Sequence, residues 1–344
     1  MPVRRTSRRN ASRLSTLERR YEFHLAEAIR AALEGSHDKA ATHSGIALSI
    51  SRELCAAGPD PVRHRPELAA ALCHHARYGG TPMDAIALLT ESAGYYAALA
   101  QADPAVYEVP RIDVLTRVAI ASDEAGNTAD AISLLREAVP MYLGAPAADA
   151  AERDLGLARA RFHLGRCLLK TGATADGLAE LDAGLELGDR ALDRLRVPTG
   201  TRDWLAAAPR YLQLAVPDWG AAAVRAMTLH AAGGRWEKAA AAASAAVLIS
   251  GGLAGLGGDR LRTAHEAVRA RADVIRARAE CPPRMAAGLT DADGGSQHAY
   301  VPDIGSYISA VSTKRFREAS ISASAVARSA QWAPSTDLPG SRSL

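Results

Sequence analysis

The chain has 344 residues and a mass of 36.1 kDa; 48% of it is hydrophobic, only 5% is aromatic, and much of the apolar share is Ala. That length exceeds a small stapled domain, the wealth of the best helix former argues against an all-β fold, and four scattered Cys argue against a disulfide framework. The net charge of +3 is uneven: residues 1–20 carry seven Arg against one acid, a segment charge of +6, so the remainder stands at −3 and is no basic nucleic-acid-binding surface.

In chain order, residues 1–16 are expected to form a basic disordered arm, without the apolar run of a signal peptide. A first helical hairpin is expected over 17–33 and 38–56, followed by a Pro-rich loop at 59–66. Hairpins two to four run on to about residue 195. Val197-Pro198-Thr199-Gly200 then interrupts, residues 203–214 are expected to form an extra helix, and a fifth hairpin spans about 219–249. The uncharged stretch 239–258 reaches membrane-spanning length but is mostly Ala and Gly. It reads as a buried helix running into a glycine loop, so a soluble, cytoplasmic chain is expected. A lone helix over 259–280 is expected to cover the open end. Residues 281–344 are rich in Ser, Gly and Pro and read as a mostly disordered tail with a possible helix at 304–330.

The hairpins rest on a repeat. Gly35, Gly80, Gly126 and Gly172 lie 45, 46 and 46 residues apart, and Gly234 follows after 62. Small residues recur five positions after each Gly (Ala40, Ala85, Ala131, Gly177, Ala239) and seven before it, where Met227 is the one large member beside Ala28, Cys73, Ala119 and Gly165. This is the pattern of helix, tight turn and helix, with the Gly taking a left-handed conformation and the small residues letting antiparallel helices approach. One such hairpin cannot bury its apolar face alone, so successive hairpins must stack.

Two runs carry a family likeness. Phe162-His163-Leu164-Gly165-Arg166-Cys167-Leu168-Leu169-Lys170-Thr171-Gly172 resembles the first helix of a tetratricopeptide repeat, and Gly126-Asn127-Thr128-Ala129-Asp130-Ala131-Ile132-Ser133-Leu134-Leu135 resembles its turn and second helix. The resemblance covers roughly residues 17–250. It departs from the family in unit length, since the usual repeat has about 34 residues. It implies an all-α, right-handed solenoid of stacked hairpins over 17–280, capping helix included, whose first helices line a concave face. Ligand-facing residues are then implied thirteen, ten, six, three and two positions before each turn Gly. The second unit supplies His74, Arg77 and Tyr78, and the fourth supplies Arg159, Phe162, Arg166 and Lys170. These seven are the candidate partner-binding residues. The stripe between them is acidic, with Asp113, Asp123 and Glu124. Either the cations bind an acidic protein or peptide segment, or they pair with the acidic stripe as a solvated helix face.

Other chemistry is thin. Cys73-His74-His75, and His163 with Cys167, lack the four ligands of a structural zinc site and read as core. The Gly-x-x-Gly-x-Gly pattern at 252–258 follows a helix instead of the strand a dinucleotide site requires. No cofactor is expected, and no catalytic constellation stands out. The expected function is a non-catalytic protein- or peptide-binding scaffold. The alternative is a ligand- or peptide-sensing regulatory protein that acts on transcription through a partner; an enzyme is the least favoured reading. Nucleic acid would be engaged weakly, through the basic arm, if at all.

Overall fold

The computed structural model describes residues 3–57, 62–197, 199, 204–205, 208–256 and 259–280. They belong to one contact unit; a second, Thr313–Leu344, and the expected tail helix at 304–330 lie outside the described residues. Among the described residues there are eleven helices and no strand. Helix α1 (Val3–Leu33) pairs with α2 (His37–Ala57), α3 (Arg65–Tyr78) with α4 (Pro82–Ala102), and α5 (Pro104–Glu124) with α6 (Thr128–Gly144). Helix α7 (Ala150–Lys170) pairs with α8 (Thr174–Leu195), and α9 (Arg210–Ala232) with α10 (Trp236–Gly255). Helix α11 (Asp259–Glu280) packs on α10 at the end of the array. Each helix touches its neighbours in sequence, and α1 meets α3, α5 meets α7, and α7 meets α9. The architecture is an all-α helical solenoid.

The repeat spacing locates the turns. Gly35, Gly80, Gly126, Gly172 and Gly234 have φ of +76°, +85°, +91°, +86° and +70°, the left-handed region where a side chain is strained. On either side the small residues are buried: Ala28, Ala40, Ala119, Ala131 and Ala239 are fully enclosed. The tightest approach joins α7 to α8. A Cβ on Gly165 would sit 2.7 Å from the Gly177 carbonyl oxygen, and one on Gly177 would sit 2.9 Å from that of Gly165. Local signals close the helix ends. Thr81 and Asp84 form a reciprocal capping box ahead of α4, with Pro82 opening the helix. Asp103 and Asp149 cap α5 and α7. Asn127 makes no such bond; instead the Thr128 hydroxyl donates to Asp123 at 2.8 Å.

Four expectations are corrected. The arm does not end at residue 16: α1 is helical from Val3, because residues 3–33 contain neither Gly nor Pro and Arg is a good helix former. Its apolar stripe begins at Leu14 and continues through Leu17, Tyr21, Leu25 and Ile29. No separate helix precedes the fifth hairpin among the described residues; α9 itself starts at Arg210 and runs through Pro217. Helix α10 does not yield to a glycine loop at 251 but continues to Gly255, and Gly252 within it leaves room for the Trp204 ring, which a Cβ would meet at 2.5 Å. This helix is long and apolar enough to cross a membrane, yet Ala239, Ala243, Ala246 and Ile249 are buried in the core it shares with α9. Finally, Phe162 is not presented to a ligand. It is 5% exposed and fills the space over Gly184.

The start of α9 reaches across the array. Gln213 and Pro217 lie beside Ile29 and Leu33 of α1 and beside Arg77 and Tyr78 of α3, around a void of about 10 Å³. The fifth hairpin thus meets the end of the first. At its other end α9 is tied to α8, where buried His230 shares a 2.6 Å hydrogen bond with Asp182.

Candidate binding site on the inner face

Helices α3, α5, α7 and α9 bring charged side chains to one inner face, and most of the ion pairs there join different helices. Toward the turns, Asp123 of α5 is 1% exposed at its side chain and receives both Lys170, at 2.5 Å, and Arg166, at 3.3 Å, from α7. Burial works against its ionisation, but Lys170, Arg166 and Thr128 outweigh it and hold the carboxyl below its usual value. Next to it, burial pushes Glu124 up to about 7, reinforced by Asp123 and Asp218.

The centre of the face belongs to Asp218 of α9. Its carboxylate lies 3.7 Å from His163 Nε2 and 4.0 Å from the Arg77 guanidinium. Burial opposes its charge, yet His163, Arg77 and Arg159 pull it well below the carboxylate range. Burial pulls His163 down to about 4, helped by Arg166, so its ring is neutral at pH 7. His74 is buried and stacks near Tyr78, with ring centroids 6.5 Å apart.

Beyond this centre a cavity of about 300 Å³ opens between α3, α4, α5, α7 and α9. Arg159, 6% exposed, pairs there with Asp113, whose other oxygen accepts from Arg117 Nε at 2.8 Å. The Tyr142 hydroxyl also reaches Asp113, at 3.4 Å. Burial pulls Arg159 down to about 10, so it remains a cation at neutral pH.

Of the seven candidates the structure leaves Arg77, Tyr78, Arg166 and Lys170 at least partly exposed and buries His74, Arg159 and Phe162. Arg159 pairs with Asp113, and Arg166 and Lys170 pair with Asp123, but Arg159 and Asp123 are buried, so this is not the solvated face of the paired-stripe reading. The sequence reading missed Asp218, Arg117 and Glu152. Asp218 had a signal, since it is a lone acid between Leu214 and Val224 in an otherwise apolar run; a charge in such a stretch is kept only when it is partnered. Arg117 and Glu152 fall outside the family positions and had none. Among the described residues no group of three His, Cys, Asp or Glu gathers to hold a metal, and Cys73 and Cys167 are buried.

In class, then, the chain is an all-α solenoid with a charged inner face. No protein-family model matches it, and no curated protein matches its sequence.

Proposed function

We propose that this chain is a non-catalytic binding module of the tetratricopeptide-repeat kind, which holds an acidic protein segment at the turn-side ends of α3, α5 and α7. One observation supports it above the rest. Arg166 and Lys170 converge on a single carboxylate while their side chains stay 36% and 49% exposed. Two cations on one buried anion leave a net positive charge at the surface, beside Arg77 and half-buried Tyr78. Asp218 supports the same reading from within the chain, since an acidic residue on a helix already sits against Arg77 on this face.

The test is a selection from a displayed peptide library against wild type and against the double variant Arg166→Ala, Lys170→Ala, with melting followed in parallel. Enrichment of Asp- and Glu-bearing peptides on wild type and its loss in a folded double variant are expected. Peptides that bind both proteins alike would move the interaction elsewhere, and no enrichment at all would remove the proposal.

A further inference from the structure

The cavity between α3, α5 and α7 has a charge pattern that the acidic-segment reading leaves unused. Its cationic end is formed by Arg117 and Arg159, which share the single carboxylate of Asp113. Arg159 is more than nine-tenths buried, and its Nε has no hydrogen-bond partner among the described residues. Burying a guanidinium with a donor unused is costly unless something else accepts from it. The anionic end is Glu152, seven residues earlier on α7 and so about two helical turns away on the same face. Glu152 lines the cavity and makes no ion pair or hydrogen bond through its carboxylate among the described residues. Burial and then Asp149 push that carboxyl above its ordinary value, the condition of an acid lacking a cation. Between the two ends the wall is apolar, with Val109, Val114, Leu155 and Ala215. Pro110, Asp113 and Arg117, which are half-buried, also line it.

We infer that this cavity is a binding site for a small zwitterion, a free amino acid, whose carboxylate pairs with Arg159 and Arg117 and whose ammonium pairs with Glu152. The two guanidiniums balance Asp113 and Glu152, so the empty site is neutral but polarised along α7. A ligand that is itself neutral and polarised adds no net buried charge, whereas a simple anion or a simple amine would add one. Bidentate geometry suits the guanidinium to a carboxylate. A volume of about 300 Å³ lies at the small end of ligand pockets and matches one amino acid with an apolar side chain. This site is separate from the surface charge at Arg166 and Lys170, and neither proposal depends on the other.

The experiment is thermal-shift screening of the full chain with the twenty free amino acids, followed by calorimetric titration of the one that stabilises most. That amino acid is then compared with its deaminated acid and its decarboxylated amine. Saturable binding of the amino acid is expected, at least tenfold tighter than either analogue. Arg117→Gln is expected to weaken the amino acid and the deaminated acid together. Glu152→Gln is expected to bring the amino acid down to the deaminated acid's affinity while the fold and its melting are retained. That loss of discrimination is something a merely structural Glu152 would not produce. Absence of any saturable shift with wild type overturns the inference, as does amino-acid binding that keeps its preference for the ammonium in Glu152→Gln.

Discussion

Gly165 and Gly177 hold α7 and α8 so close that backbone oxygens occupy the places their side chains would take. Gly165→Leu must push the pair apart and is expected to destabilise by about 1–3 kcal/mol; an unchanged Tm would mean that the pair is not packed this way. Glu124 and His163 make the inner face respond to pH with opposite signs. The folded chain keeps the Glu124 proton up to about pH 7, above its ordinary 4.5. The native state then binds more protons than the unfolded one, and stability falls as pH rises from about 4.5 to 7. The folded pKa of His163 is depressed from 6.5 to about 4, so its contribution is present above 6.5 and is lost as pH falls toward 4. The two slopes overlap and oppose. Glu124→Gln removes the first, and the variant is expected to match wild type near pH 4 and exceed it by about 1–3 kcal/mol at pH 8. Denaturant titrations at the two pH values check this; equal stabilities at both would mean that Glu124 ionises normally. Sequence reasoning could place Glu124 on the inner face but could not see its burial, because Asp218, the residue that enters from α9, is 94 positions away in the chain.

The helices themselves were legible where spacing and punctuation agreed. The five turn glycines, the Thr81 cap and the whole of α11 follow from residues within one or two turns of each boundary. Two of the three helix ends that were misplaced show what local reading lacks. At α1, a count of seven Arg hid the absence of any helix breaker and the stripe from Leu14 to Ile29. At α9, the expected break between a helix at 203–214 and a hairpin from about 219 is absent, because one continuous helix runs from Arg210 through Pro217 to Ala232. Helix α1 yields two predictions. Among the described residues of α1 the buried side chains begin at Leu17, so a chain lacking residues 1–11 keeps all of those contacts and is expected to melt within about 2 °C of wild type. A larger loss would show that the amino-terminal turns are themselves packed. Tyr21 ties α1 to α3 by donating from its hydroxyl to the Glu67 carbonyl oxygen at 3.1 Å. Tyr21→Phe is expected to lower stability by about 1 kcal/mol, measured by denaturant unfolding.

At the scale of the whole molecule, the meeting of α9 with α1 and α3 sets this array apart from a strictly linear one. In a linear stack each unit senses only its neighbours, and stability is a sum of local terms. Here Ile29 and Leu33 of the first hairpin share a boundary with Gln213 and Pro217 of the fifth. A chain ending at residue 197 is expected to lose amide-exchange protection not only at its new end but also in the last turns of α1 and α3. Protection confined to the normal pattern there would mean that the first hairpin is self-sufficient. The same contact has a consequence during synthesis. About 180 residues separate Leu33 from Leu212, and at about 5–20 residues per second the ribosome delivers the second roughly 10–35 s after the first. For that interval Ile29 and Leu33 lack the cover that Gln213 and Pro217 give them in the folded chain. The order in which this chain is made therefore keeps one of its first helices without a native neighbour until most of the array has been synthesised.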